Sequence, residues 1–340
     1  MIVSAKREFV FEEGKVTPSC HASTVLPLDN GEVMVAWFGG KHEKNPDVEI
    51  YVSVRSAAGE WSKPMVVSDN DNIAHWNPVL YKRQNGEIIL YFKYGAEIPT
   101  WITKYVISKD NGKTWSEPRV LVEGDVGGRG PVKDKCLRLS DGTLLAPAST
   151  EGGKWLCFID RSDDDGLTWE RTEYFAQPKY HGLNVGLIQP TLWESAPGTV
   201  HCFMRSNAGA IYRSDSGDYG KTWSKPRRTR LPNNNSGIDC ARDDSGRLWL
   251  LYNPVGVNWG VRYPLMLACS DNNGKSFEPI LNCEPGFKCA PAVLDPKKKQ
   301  SKQAGGEFSY PAIVYEGDKL YVSYTYNRKQ IVYWEIEIAR

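Results

Sequence analysis

The sequence predicts an all-β chain folded as a six-bladed β-propeller. Three observations carry this: a fixed 54-residue period, a second turn-and-strand landmark inside each period, and no apolar pattern of 3.6-residue spacing at helix length. Four segments share one form: SKDNGKTW (Ser108 to Trp115), SDDDGLTW (Ser162 to Trp169), SGDYGKTW (Ser216 to Trp223) and SDNNGKSF (Ser270 to Phe277). Their closing aromatics, Trp115, Trp169, Trp223 and Phe277, are each 54 residues apart. One step back reaches Trp61, in the degenerate RSAAGEW, and one step forward reaches Ile331. Six units therefore fill residues 1–340 as one domain.

The strands follow from the second landmark. A Gly- and Asp-rich turn leads into an alternating or apolar run in every unit: DNGEVMVAWF, QNGEIILYF, SDGTLLAPA, PGTVHCFM, DSGRLWLLY and EGDKLYVSY. These are hairpins with β-rich arms, and units of this length hold about four strands each. In the S-x-D-x-G-x-T-W turn, Asp accepts from turn amides, Gly tolerates positive φ and Trp plugs the space between blades. The last unit, from Tyr310 to Arg340, supplies three strands. The N-terminal REFVFEEG is expected to supply the fourth, closing the ring and removing two sheet edges.

Composition narrows the partners. A net charge of +1 gives no global field for nucleic acid or a membrane surface, so an anionic ligand must be held by a local site. Twelve Trp and seventeen Tyr suit both strands and sugar-stacking surfaces. No stretch reaches membrane-spanning length, and the N-terminus lacks the apolar core of a signal peptide, so a cytoplasmic protein is expected. The eight Cys form no CxxC or zinc spacing. Most are expected to be buried thiols, with a Cys283–Cys289 bridge across EPGFK the one plausible pairing. No metal or cofactor is expected.

The inner strands of a propeller converge on its axis. The residues opening them are CHAST (Cys20 to Thr24), HWNP (His75 to Pro78), GPVKDK (Gly130 to Lys135), IQPT (Ile188 to Thr191), NSGID (Asn235 to Asp239) and FSYP (Phe308 to Pro311). All are polar or aromatic where a plain strand carries Val or Ile. Six such clusters would be costly if buried dry, so a solvated binding mouth is expected. Trp76, Asn77, Lys133, Lys135 and Asp239 are its candidate ligand contacts, with Trp101 as a further aromatic.

The repeated turn is the Asp box, and the layout CHAST, WFGG, PDV, WNPV, GPVKDK, NSGID and EFSYP ending in YTYNR resembles a sialidase-like branch of the sialidase superfamily found in bacteria and plants. The resemblance spans essentially the whole chain. It implies that the boxes are structural turns far from the axis. It implies carboxylate-binding roles for Arg205, in FMRSNAG, and Arg262, in NWGVRYPLML, since two guanidiniums bind a carboxylate in fork geometry. It further implies that Tyr310 is a nucleophile and that Asp47, in HEKNPDVEIY, is the acid/base, with Glu43 and Glu49 as rivals. Two positions depart from the pattern. His21 stands where an arginine is usual. Gln189 stands where a Glu normally activates the Tyr, and an amide cannot take a proton.

The resulting expectation is an exo-glycoside hydrolase acting on a terminal acidic sugar of an oligosaccharide or glycoconjugate. Two other readings stay open. One is a uronate lyase using His21 and Tyr310 as base and acid; the other is a non-catalytic glycan-binding propeller. His21 and Tyr310 open the inner strands of the first and last blades, which ring closure makes neighbours. A hydrogen-bonded pair between them is therefore expected, and in the hydrolase His21, or a water, is expected to take the Tyr310 proton that Gln189 cannot.

Overall fold

The computed structural model describes residues 2–286 and 306–339. Among these residues lie six four-stranded antiparallel sheets, five built in chain order from the axis outward and the sixth completed at its outer edge by the N-terminal strand. The inner strands are Ser19–Pro27, His75–Lys82, Leu137–Arg138, Leu187–Ala196, Asp239–Arg242 and Phe308–Glu316, for blades 1 to 6. A two-stranded hairpin (Lys179–Tyr180 with Leu183–Asn184) joins blades 3 and 4. The one helical piece among the described residues is a 3-10 turn at Ile98–Thr100. The six-bladed all-β reading holds.

The ring closes as the sequence indicates, with a shift in register. Strand Ile2–Phe9 pairs antiparallel with Gln330–Ile338, so the closing strand starts ahead of REFVFEEG and stops at Phe9. The cause is packing. Val10 and Phe11 turn inward and are buried, and the Phe11 ring stacks on Trp37 of blade 1 at 4.9 Å. Arg7 then pairs with Glu284 at 2.6 Å, which also takes the Tyr324 hydroxyl proton.

The Asp boxes do the same work four times. In blade 3 the Ser162 hydroxyl donates to Asp164 (2.8 Å), and Gly166 N–H donates to Ser162 Oγ (2.8 Å). The amide and hydroxyl of Thr168 donate to the two Asp164 oxygens at 2.9 and 2.6 Å. The same bonds recur around Asp110 and Asp218; at Asn272 the Ser276 amide donates to Oδ1 (2.9 Å), while Nδ2 donates to the Ser276 hydroxyl (2.7 Å). Gly166 has φ +97, and a Cβ there would lie 2.4 Å from the Tyr91 hydroxyl of blade 2. Only Gly lets this turn reach the neighbouring blade. The closing aromatics complete that contact: Trp61 meets Tyr333 of blade 6, Trp169 meets Tyr91 of blade 2 and Phe277 meets Phe203 of blade 4.

Blades 3 and 5 depart from the expected inner strands. Gly130–Lys135 and Asn235–Ile238 are irregular. Their backbone groups bond elsewhere: Gly130 N–H donates to Asp160 (2.5 Å), Val132 N–H to Pro147 O (3.1 Å), and Ser236 O accepts from Asn233 (3.1 Å). Cys283 is a buried thiol, while Cys289, its proposed partner, lies outside the described residues.

If the boxes serve only to join blades, Trp169→Ala should lower the unfolding free energy by about 3 kcal/mol, since this ring is partly buried. Thermal melts should show the loss, and ligand binding by the folded fraction should be unchanged.

Candidate functional site

Four inner strands carry a bulge where they meet the axis mouth. The ladder shifts register at His21/Thr24, Trp76/Val79, Ile188/Pro190 and Ser309/Ala312. At each shift a non-glycine residue has positive φ: Ala22 (54), Asn77 (38), Gln189 (53) and Tyr310 (53). Three of these precede Pro, whose missing N–H suits an unpaired bulge position. Such conformations cost about 1–3 kcal/mol each and persist where the surroundings fix them. Here they re-aim side chains at the mouth.

The mouth is a cleft of about 410 Å³. Tyr310, His21, Trp76, Asn77, Trp101, Glu43, Arg205 and Arg262 line it, so eight of the residues singled out in the sequence come together. Arg205 is 3% exposed and bonds only neutral oxygens. Its Nη1 donates to Tyr310 Oη at 2.6 Å and to Gln189 Oε1 at 3.0 Å, and its Nε donates to Asn235 Oδ1 at 2.8 Å. Among the described residues no carboxylate forms an ion pair with it. A buried guanidinium without a counter-ion is costly, by several kcal/mol. Arg262 is different: it donates to Glu307 at 2.8 Å, and Arg328 donates to the same oxygen at 2.9 Å. Burial alone would raise the Glu307 pKa, but the two guanidiniums hold it below the ordinary carboxylate range. Arg262 and Arg205 place their Cζ atoms 5.5 and 5.6 Å from the Tyr310 ring centre.

His21 and Tyr310 do meet, but not as expected. Their ring centres are 4.2 Å apart, tilted by 47°, with no hydrogen bond between them. His21 Nδ1 bonds the Thr325 hydroxyl at 2.9 Å, and its Nε2 is buried without a partner. Burial, together with Arg328, Arg262, Arg205 and Lys133, pushes the His21 pKa well below its usual value. The imidazole is thus a neutral ring beneath the phenol.

Asp47 requires a correction of place. Its carboxylate accepts the Lys41 amide at 3.2 Å, capping its own loop, and it is not among the lining residues. Glu43 of that loop is, and its carboxylate accepts a hydrogen bond from the Arg328 guanidinium. Glu49 faces the buried His75 (3.4 Å) instead, and burial pushes its pKa up to about 7.

Three of the expected ligand contacts are structural. Lys133 donates to Asp134 (2.6 Å), Ile238 O (2.9 Å) and Pro311 O (2.6 Å), which uses all three protons of its ammonium. Lys135 donates to Asp239 at 2.9 Å and Cys240 O at 2.6 Å. Asp239 also accepts from Thr191 (2.6 Å), the Cys240 amide (2.8 Å) and the Ile313 amide (2.9 Å). These groups form a buried polar hub linking blades 3 to 6, apart from the cleft lining.

Among the lining residues that escaped the reading of inner strands are Glu151, Trp155, Trp259 and Arg328. Glu151 accepts from Gln189 Nε2 at 3.1 Å, and burial, opposed by Arg205, raises its pKa. A signal for two of them was available. At 54-residue steps from Arg205 lie Glu151, Glu97 and Glu43 on one side and Trp259 on the other. The period that spaces the boxes also spaces the mouth ends of the second strands. Among the described residues no three His, Cys, Asp or Glu side chains converge to hold a metal ion.

Six blades, their Asp boxes and this mouth define a sialidase-like BNR propeller. A family model for the BNR repeat-like domain matches residues 31–322, and the chain belongs to that family. Among solved structures, the Hadza microbial sialidase Hz136 aligns with a TM-score of 0.76 at 16% identity, over 98% of this chain and 68% of that one. A protein of unknown function from Dyadobacter fermentans aligns at 0.72 and 18% identity, over 99% of this chain and 100% of that one. Trypanosoma rangeli sialidase aligns at 0.70 and 16% identity, over 98% of this chain and 60% of that one. At these identities the likeness is one of fold. No curated protein matches the sequence.

Asp239→Asn should test the division between hub and cleft. It leaves the half-buried Lys135 ammonium without its counter-ion and removes the buried charge that its other donors address, so chemical denaturation should show a loss of about 3 kcal/mol. Ligand affinity of the folded protein should hold; a selective loss of affinity would return Asp239 to the binding site.

Proposed function

We propose that the cleft binds the carboxylate of a terminal acidic sugar and cleaves its glycosidic bond by hydrolysis. The observation that carries this reading is Arg205: a buried guanidinium with no carboxylate of its own, bonded to the hydroxyl of Tyr310. A substrate carboxylate supplies the missing charge, with Arg262 and Arg328 beside it. The fold likeness to sialidases supports the same class of substrate.

In this reading Tyr310 Oη attacks the anomeric carbon, and Arg205 stabilises the charge left on that oxygen. The phenol proton passes through cleft water to Glu151, which occupies the neighbourhood of Gln189 and supplies the carboxylate that Gln189 lacks. Glu43, released from Arg328 as the sugar carboxylate takes that guanidinium, picks up a proton from solvent water and gives it to the leaving oxygen. Water then attacks the anomeric carbon and gives a proton to Glu43, while the bond to Tyr310 Oη breaks and Glu151 returns its proton to that oxygen, which restores the enzyme. His21 supports an elimination mechanism less well, because burial, and then the cations around it, resist its protonation.

Product analysis separates the three reaction classes. Hydrolysis releases a reducing sugar with no new ultraviolet absorbance. An unsaturated uronate would mean elimination, and saturable binding without product would mean a lectin-like role. Tyr310→Phe should abolish most turnover and leave acidic-sugar binding near normal. Arg205→Lys should weaken binding by about 1.5–3 kcal/mol, since Lys cannot form the planar fork.

The pH profile tests Glu151. As a base it works only when deprotonated, so kcat/KM should rise with pH through an apparent pKa above the ordinary carboxylate range. Glu151→Gln should remove that limb and lower turnover by about 10²–10⁴-fold. An unchanged acid limb in the variant would reject the assignment.

A further inference from the structure

The outer wall of the cleft is aromatic. Of the twelve tryptophans, Trp259 alone is exposed, at 53%. It sits in the connection between strands Leu248–Tyr252 and Met266–Ser270 of blade 5, with φ +55. Trp155 reaches the same place from blade 3, and the two rings meet edge to face, 6.3 Å between centres at 72°. Gly186 makes room for Trp155, since a Cβ there would lie 3.1 Å from its ring.

Both rings are tied to the proposed anion site. The Arg205 guanidinium lies 5.8 Å from the Trp155 ring centre and 5.7 Å from that of Trp259. A hydrogen-bonded chain also runs between them. Arg205 Nε donates to Asn235 Oδ1 at 2.8 Å, and Asn235 Nδ2 donates to the oxygen of Asn258, beside Trp259, at 2.8 Å. The aromatic pair is therefore held at a fixed place relative to Arg205.

Core packing does not account for an exposed indole in a left-handed turn. Stacking on Arg205 accounts for part of the ring, yet half of its surface still faces solvent. A pyranose offers a face of C–H groups that packs on an indole while its hydroxyls stay in water, the two-sided match that Trp provides. The order of burial places that sugar. Arg205 is buried, Tyr310 is half-buried and Trp259 is exposed at the rim, so a ring outside the terminal residue meets the tryptophans.

We propose that Trp155 and Trp259 form a subsite for the sugar next to the terminal acidic residue, so that the protein recognises an acidic sugar linked to a second pyranose. This rests on the acidic-sugar reading of the cleft.

The test measures binding by titration in a Tyr310→Phe background, where conjugates are not cleaved. The probes are free N-acetylneuraminic acid, free glucuronic acid, the lactose conjugate of the first and a galactose disaccharide of the second. Against this parent, Trp259→Ala should leave the affinity for a free acid within about two-fold and weaken its conjugate about ten-fold. Trp259→Tyr should recover most of the loss, and Trp155→Phe should fall between. Equal weakening of acid and conjugate would overturn the subsite, because the tryptophans would then serve only the Arg205 pocket. No change in either would overturn it too. If the parent binds neither free acid nor conjugate, the acidic-sugar reading fails first and the subsite with it.

Discussion

The buried carboxylate of Asp239 organises the centre of the ring. It accepts from a lysine of blade 3, a threonine of blade 4, an amide of its own blade 5 and an amide of blade 6. Lys133 ties blades 3, 5 and 6 in the same way through two carbonyls. Six inner strands cannot fill an axis with apolar side chains alone, because their ends bring unpaired backbone groups together. Ammonium and carboxylate groups satisfy those ends in several directions at once. Such a hub gains little net stability over apolar packing, but leaving any member unpaired is costly, so it specifies one arrangement of blades.

The hub and the cleft are two uses of the same chemistry. Lys133 has every donor occupied and its charge answered by Asp134. Arg205, also buried, meets three neutral oxygens. The first is a closed site. The second has, among the described residues, no carboxylate in direct ion-pair contact and faces a cleft, with Glu151 its electrostatic neighbour, and that difference separates a structural cation from one poised for a ligand. The bulged inner strands serve the second use, because positive φ at Gln189 and Tyr310 turns those residues toward Arg205.

Division of labour along the radius follows. The outer edges of blades 2 to 5 carry turns that accept their own amides, and in blades 3 and 5 these press an aromatic on an aromatic of the preceding blade. Stability there is repeated and local. The mouth repeats the same 54-residue phase with different residues: Glu43, Glu151, Arg205 and Trp259. A common scaffold thus presents an acid, a second acid, a cation and an aromatic around one opening, which is how repeat folds build asymmetric sites from symmetric parts.

By itself the sequence determined the blades, their number, the closing strand and the polar character of the axis. These follow from periodicity, and a period of 54 with hairpin turns leaves no other economical way to bury so many strands. It also pointed to Tyr310, Arg205, Arg262, Trp76 and Asn77 at the cleft. What only the tertiary structure decided is which polar residue faces ligand and which faces protein. Lys133, Lys135 and Asp239 look no different in sequence from cleft residues; they are structural because acceptors and donors from other blades surround them. Asp47 caps its own loop while Glu43, four residues earlier, reaches the cleft. Glu151 and Arg328 lie at the ends of second strands, and their meeting with Tyr310 depends on ring closure. Hydrogen-bond satisfaction is a property of neighbours in space, and in a propeller those neighbours come from blades far apart in the chain.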